Sequence, residues 1–347
     1  MARATPLYSR SKVDAAGAVL RVMPYNEIER IGEALVVLNN WRASHAFPLN
    51  TFQTSLRDRA RRLDPDAVIA QRLKRLPSIL RKLDRFPRMR LSQMQDIGGC
   101  RAVVVNVQAV RQLRDAYIRA RHEHELVDEH DYITAPKPSG YRGIHLVYKY
   151  RSRRSVVHKD QLIEVQLRTP IQHAWATAVE TVSTMLDHAL KSSEGPEQWL
   201  RFFSLVSSAF ARLEGTPMVF DAPANGLLID EVRREVATLN VYARLQGYRS
   251  ALSAVQSDQM RSAQYFLLSL KGAAAEHGQT LEVTGFRSDE LQTASDAYLE
   301  EERRAANIPG AEVVLVRSES IEALRRAYPN YFLDTELFLQ LLDEISA

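Results

Sequence analysis

The 347-residue sequence predicts an α+β protein, a mixed β-sheet core flanked by helices, with an N-terminal helical region and a smaller C-terminal α+β domain. Three observations predict it. Apolar residues recur at helical spacing before Pro87, short β-branched runs fill Gly99 to Arg168, and strand-like and helix-like stretches alternate again after Gln264. The length exceeds the roughly 100–200 residues usual for one domain. We divide it into a helical region (1–63), a core (64–190), a helical connector (191–258) and an α+β domain (259–347).

In chain order, Ile28, Ile31, Leu35, Leu38 and Trp41 mark a helix from Tyr25 to Arg42, and a second helix, Thr51 to Arg62, follows a break at Pro48. A third is expected from Asp64 or Asp66 to Pro87, kinked at Pro77, with a densely basic polar face. Strands are expected at Arg101–Val107, His124–Tyr132, Gly143–Arg151 and Asp160–Arg168, with a helix from Gln108 to Arg121. A helix from Pro170 to Leu190 closes the core, and the polar stretch Lys191 to Pro196 reads as a loop. Helices Glu197–Leu213 and Leu228–Val255 follow. The last domain reads as strands at Gln264–Leu270, Thr280–Phe286 and Ala311–Arg317, helices at Asp289–Ala306 and Ile321–Tyr328, and a final helix from Asp334.

Composition narrows the function classes. No apolar run approaches the roughly 18 residues of a membrane span, and Met1 to Val13 lacks a secretory hydrophobic block, so a cytoplasmic protein without a membrane partner is expected. The single cysteine, Cys100, excludes an intrachain disulfide and reads as a small buried thiol. A net charge of +4 is too small to imply nucleic-acid binding by itself. Any basic surface has to be local, and the stretch containing Arg72, Lys74, Arg75, Arg81, Lys82 and Arg85 is.

Four patterns carry chemistry. In Leu162 to Arg168, side chains alternate, so Glu164, Gln166 and Arg168 project together; an edge strand with one solvated face reads the same way. Asp96 precedes the pair Gly98-Gly99, at a strand entrance where backbone can approach a ligand. With Glu164 it can hold Mg²⁺, which takes one or two protein carboxylates and the remaining oxygens from water and substrate phosphates. The segment Lys137-Pro-Ser-Gly-Tyr141-Arg-Gly-Ile-His145 is an ordinary turn before a strand, yet it offers Tyr141 as a stacking platform and Lys137 or His145 for phosphate. The basic stretch, a solvated face on its own, has the charge to compensate a triphosphate.

Taken in order, Arg72-x-Lys74 with Lys82, Asp96-Ile-Gly-Gly-Cys-Arg101, Asp131-Tyr-Ile leading into Lys137-Pro-Ser-Gly-Tyr141-Arg-Gly-Ile-His145, and Glu164-Val-Gln166-Leu-Arg168-Thr resemble the synthetase domain of RelA/SpoT-family alarmone synthetases over about Asp64 to Leu190. The resemblance implies a nucleotidyltransferase-like fold and transfer of pyrophosphate from ATP to the 3′-hydroxyl of GDP or GTP, making (p)ppGpp. It implies that Arg72, Lys74, Lys82 and Arg101 bind ATP, that Asp96 and Glu164 ligate Mg²⁺ and are catalytic, and that Lys137, Tyr141, His145, Gln166 and Arg168 meet the acceptor. Ser139 stands where many members have Asn and Gly143 where most have Ser, which puts the acceptor's identity in question: similar single-domain proteins act on the tRNA 3′ end or on adenosine nucleotides, some as toxins. An inactive nucleotide or RNA sensor is the third alternative. The family's hydrolase signature, a helical His…His-Asp site ahead of the synthetase, is not found. The C-terminal domain carries no catalytic signature and is expected to brace the core or to bind a partner, such as an antitoxin or a second copy of the chain.

Overall fold

In a computed structural model, described for residues 4–22, 28–120, 123–153, 155–186, 196–250, 253–256, 263–274, 278–305, 308, 311–318, 320–332 and 334–346, the N-terminal region forms three helices: α1 (Arg10–Val22), α2 (Ile28–Ser44) and α3 (Ala46–Leu63). Pro48 does not break α3. It sits in the first turn, where a missing N–H leaves no helical bond unmade. The expected helix start at Tyr25, the helix ends at Arg121, Leu190 and Ala306, and residues 191–195 of the expected loop lie outside the described residues.

The expected helix from Asp64 to Pro87 is corrected. Its first half is strand β1 (Val68–Leu73), and only Leu76–Arg85 is helical, as α4. The β-branched Val68 and Ile69 suit a strand, and β1 pairs along its whole length with β2 (Gly98–Val103), from Val68 opposite Val103 to Leu73 opposite Gly98. Pro77 opens α4 instead of kinking a longer helix. Arg72 therefore stands on a strand and Lys74 just after it. β2 itself starts three residues before the expected Arg101.

After β2 come α5 (Val107–Ile118), β3 (Glu125–Asp131), β4 (Ile144–Lys149), β5 (Leu162–Arg168), α6 (Pro170–Leu186) and α7 (Glu197–Leu213). Asn106 caps α5 by accepting from Ala109 N at 2.8 Å. The expected helix Leu228–Val255 is also corrected: it is α8 (Asn225–Thr238), α9 (Val241–Ser250) and strand β6 (Ser253–Gln256). Asn240 breaks it in the left-handed region, at φ 49°, which Asn tolerates better than most residues. β7 (Tyr265–Ala274), β8 (Gly278–Phe286), α10 (Leu291–Ala305), β9 (Glu312–Arg317), α11 (Ile321–Ala327) and α12 (Glu336–Ser346) complete the chain.

The strands form one nine-stranded sheet in the order β3-β4-β5-β2-β1-β9-β7-β8-β6. The pairings β2–β5 and β6–β8 are parallel and the rest antiparallel, so the sheet is mixed. The C-terminal strands thus extend the core sheet through β9, where Val316 pairs with Arg72 of β1. Under the half of the sheet that holds β2, β4 and β5, α3 and α5 pack Leu49, Phe52, Leu56, Val110 and Leu113 against Cys100, Ala102, Ile144, Leu146, Ile163, Val165 and Leu167. Each of those strands spends every second side chain on this core, which leaves the alternate residues for the opposite face. Among the described residues no helix is long and apolar enough to cross a membrane.

Candidate active site

The register of that opposite face sets the floor of a cleft. Arg72 lies opposite Gly99, which lies opposite Glu164; one step along, Ala70, Arg101, Gln166 and His145 form the next row. Adjacent strands are about 4.8 Å apart, so these side chains are neighbours by construction. Gly99 has no side chain to fill the gap between Arg72 and Glu164. The cavity above measures about 230 Å³, and every candidate residue named from the sequence lines it except Lys82, which reaches it through Asp96.

Asp96 closes one end. Lys74 N donates to Ile97 O at 2.8 Å, which aligns the end of β1 with the entrance to β2. Lys74 Nζ and Lys82 Nζ then donate to the two Asp96 oxygens at 2.8 and 2.9 Å. Burial opposes ionisation of Asp96, but the charges and hydrogen bonds of both lysines outweigh it and hold the carboxyl well below the usual range. Glu164 stands in the floor, accepting from His145 Nδ1 at 2.8 Å and Gln166 Nε2 at 2.6 Å. It too is held below the ordinary carboxylate range: burial raises it, and the His145 and Gln166 contacts more than offset this. The two acids are near enough for Asp96 to oppose the ionisation of Glu164.

The other end is built around Tyr141. Its hydroxyl is bonded to His145 Nε2 and accepts from Arg168 Nη2, both at 2.5 Å. The ring is only 6% exposed, with Arg168 5.0 Å and Lys137 5.3 Å from its centroid and with Tyr132, His145 and Trp175 against its edges. Arg168 is buried, and its Nε and Nη1, like Nε of Arg101, have no hydrogen-bond partner among the described residues. Burial and the charge of Arg168 lower Arg101 to about 10. Burial likewise lowers Lys74 and Lys137. The cleft thus concentrates positive charge at the expense of its own solvation, as a polyanion site does.

Two ionisable lining residues escaped the sequence. Glu180 enters from α6, where it is the one charged residue in Pro170–Leu186; an isolated acid on an apolar helix is the signal that was there to read. Tyr328 enters from the end of α11. Its hydroxyl donates to Gln71 O at 2.5 Å and its ring lies 5.7 Å from the Arg101 guanidinium, while Arg101 Nη2 donates to Ala327 O. No local signal marks it, because an aromatic in Tyr328-Pro-Asn-Tyr331 reads as packing.

Comparison with known proteins places this arrangement. Residues 71–183 match the region found in RelA/SpoT proteins, and GTP pyrophosphokinase YjbM of Bacillus subtilis is 33% identical over 158 residues, 43% of this chain and 69% of that protein. The chain belongs to the RelA/SpoT family. An uncharacterised protein of Mycobacterium tuberculosis is 29% identical to this RelA/SpoT protein over 136 residues, 38% of this chain and 45% of the other. The crystal structure of small alarmone synthetase 1 from Bacillus subtilis bound to its product pppGpp is 26% identical, covers 49% of this chain and 89% of that one, and superposes with a TM-score of 0.43. As a RelA/SpoT member related to a GTP pyrophosphokinase, the chain is a pyrophosphotransferase.

Proposed function

We propose that this RelA/SpoT enzyme moves the β,γ-diphosphate of ATP onto the 3′-hydroxyl of GDP or GTP, making (p)ppGpp. One observation carries the reading: two ionised carboxylates and five cations, Arg72, Lys74, Arg101, Lys137 and Arg168, line a single cleft in which Arg101 and Arg168 keep unpartnered donors among the described residues. In this reading Arg72, Lys74, Lys82 and Arg101 receive ATP, the two lysines exchanging part of their contact with Asp96 for phosphate oxygens. Lys137, His145, Gln166 and Arg168 face the acceptor and the transferring phosphates. A base that stacks on Tyr141 takes the place of one of the two cations over its ring.

The donor set fits Mg²⁺. Asp96 and Glu164 are both oxygen donors in the ionised form, and two protein carboxylates are what this ion takes when phosphates supply further ligands. Bound there, Mg²⁺ supplies neutralisation of the phosphate charge. The protein's own part is alignment of the 3′-hydroxyl with the β-phosphorus, stabilisation of the transition-state charge by the arginines and lysines, and departure of AMP. Glu164 receives the hydroxyl proton; a carboxylate of low pKa is a weak base, and it suffices where a loose transition state asks little of the base.

The cavity is smaller than the roughly 300–1,000 Å³ of ordinary ligand pockets, so two nucleotides enter only if a wall yields. Purified protein given ATP, GDP and Mg²⁺ is expected to release AMP and a 3′-diphosphorylated guanosine nucleotide; formation of neither discards the reading. A second acceptor, the 3′ end of tRNA, is favoured by a separate groove of about 280 Å³ between α3, β9 and α11, lined by Arg57, Arg61, Arg317 and Arg326, as phosphate-backbone contacts require. Transfer of label from γ-labelled ATP to deacylated tRNA, abolished by removing the terminal adenosine, is its signature.

A further inference from the structure

The loop from Lys137 to Gly143 is gripped from behind by a helix outside the matched region. Ser204 Oγ of α7 donates to Pro138 O at 3.1 Å, and Ser207 Oγ donates to Gly140 O. Arg142 Nε donates to Ser207 Oγ at 3.1 Å, while its other two nitrogens donate to Thr216 Oγ1 at 2.8 Å and to Pro217 O, in the turn that follows α7. Gly140 stands at φ +89°, and a Cβ there would lie 2.7 Å from Ser207 Cβ and 3.0 Å from Phe203 O. Loop and helix therefore meet with no room between them, at a backbone conformation side chains rarely adopt. Trp175 Nε1 donates to the same Phe203 carbonyl at 2.8 Å and sets its ring edge against Tyr141.

We infer that α7 is the positioning element for the acceptor loop, with Ser207 as its hub. Neither Ser207 nor Arg142 lines the cleft; they are 1% and 3% exposed and act through the loop they hold. The loop closes on itself by only two backbone bonds, Gly140 N to Lys137 O at 2.8 Å and Lys137 N to Tyr141 O at 3.2 Å. These shape the turn but do not orient it on the sheet. The sheet holds one side of the loop, through Gly143 O, which accepts from Tyr132 N at 2.9 Å, and through the Tyr141 hydroxyl on Arg168 and His145; the grip on the Pro138 and Gly140 carbonyls holds the other, and the two together fix where Lys137 and Tyr141 stand relative to Glu164 and Arg168. Arg142 spends its whole guanidinium fork on this task, facing Ser207, Thr216 and Pro217 in place of a substrate. The inference rests on the reading that this loop receives the acceptor.

Ser207→Ala tests it against Ser208→Ala. Ser208 is equally buried on the same helix, donates to Ser204 O and accepts from Val219 N, and makes no bond to the loop. Amide exchange in residues 137–143 and the separate KM values for GDP and ATP are measured in the full chain. Ser207→Ala removes both the bond to Gly140 O and the one accepted from Arg142 Nε, and is expected to speed exchange in the loop at least about tenfold and to raise KM for GDP at least about tenfold, with KM for ATP within twofold. Ser208→Ala is expected to do neither at a comparable loss of thermal stability. Equal loop exchange in the two variants overturns the role of α7. Faster exchange with an altered KM for ATP and an unchanged KM for GDP keeps the role of α7 and overturns the acceptor reading of the loop. Should Ser207→Ala fail to fold, Thr216→Val removes one Arg142 anchor from a half-buried turn and is read the same way, with a smaller change expected.

Discussion

Replacing Asp96 by Asn leaves two cations facing each other across a site built for their counter-charge. Lys74 and Lys82 lie 2.8 and 2.9 Å from its oxygens, with the three side chains between 18% and 27% exposed. At an effective dielectric near 20, one such pair is worth roughly 6 kcal/mol before desolvation. Removing one partner of a fully buried pair costs about 3–5 kcal/mol, and the residual exposure puts Asp96→Asn near the low end, about 3 kcal/mol by urea unfolding at pH 7. The pH dependence has a definite sign. Because the folded carboxyl is held below its unfolded value of 3.8, its contribution is present in full above that value and fades as the pH falls through the lowered one. The gap between parent and variant is therefore constant across neutral pH and narrows only in acid. Adding Lys74→Met to Asp96→Asn should restore part of the loss, a coupling of at least about 1 kcal/mol. AMP release from ATP and GDP should fall at least ~10³-fold. A variant as stable as the parent at pH 7, or one that keeps a tenth of its activity, refutes the placement of Asp96 as the shared counter-ion and ligand.

Other outcomes follow from the same geometry. Glu164→Gln keeps the shape that His145 and Gln166 bond to but removes the charge, and should lower kcat by ~10²–10⁴-fold; because the folded carboxyl is held below its ordinary value, the urea midpoint should fall as well at pH 7, with the gap closing in acid, and an unchanged kcat would make Glu164 structural only. Tyr328→Ala removes the ring beside the Arg101 guanidinium and leaves Gln71 O without its donor, so a non-hydrolysable ATP analogue should bind about tenfold weaker by calorimetry, the scale of one lost contact; tighter binding means that the tyrosine obstructs the site instead of supporting it. Cys100 is buried under the sheet and burial, with Glu164 nearby, pushes its thiol up, so a thiol reagent should titrate it only after unfolding, and rapid reaction of the native protein contradicts the packing of α3 on β2.

How far the sequence can be read depends on where each signal is stored. Glu164, Gln166 and Arg168 are legible because period-two alternation is local, and the register of β2, β4 and β5 then brings their partners in without further information. The basic stretch before Pro87 misleads because Leu73, Leu76, Ile79, Leu80 and Leu83 keep a helical spacing through a strand, a turn and a helix. Their periodicity is shared by two core clusters: Leu73 packs toward the α3 side, while Ile79 and Leu83 join α1 and α2. A single period cannot report that change of partner. Tyr328 and the joining of β9 to β1 are non-local, since the residues concerned are far apart in the chain and nothing in either segment names the other.

The flanking segments divide the charges of the cleft between them. Region 71–183 supplies the ionic groups of the cleft, and each needs an orientation it cannot give itself. At the end of the cleft proposed for ATP the C-terminal segment provides it: Glu312 pairs with Arg75 at 2.5 Å, Ala327 O and Tyr328 hold Arg101, and Glu302 receives both Arg42, at 2.7 Å, and the N–H of Leu76 that starts α4, at 3.0 Å. At the end proposed for the acceptor, α7 grips the loop that carries Lys137 and Tyr141. The halves are held by different segments, both of which follow the matched region in the chain and meet where Phe338 of α12 packs on Phe202, Phe203 and Phe210 of α7. A change confined to the C-terminal segment should therefore alter ATP binding and leave acceptor binding intact, and the reverse should hold for α7. Comparing the two KM values across Tyr328→Ala and Ser207→Ala measures that separation directly, and matched changes in both constants from either variant would show the cleft to move as one body.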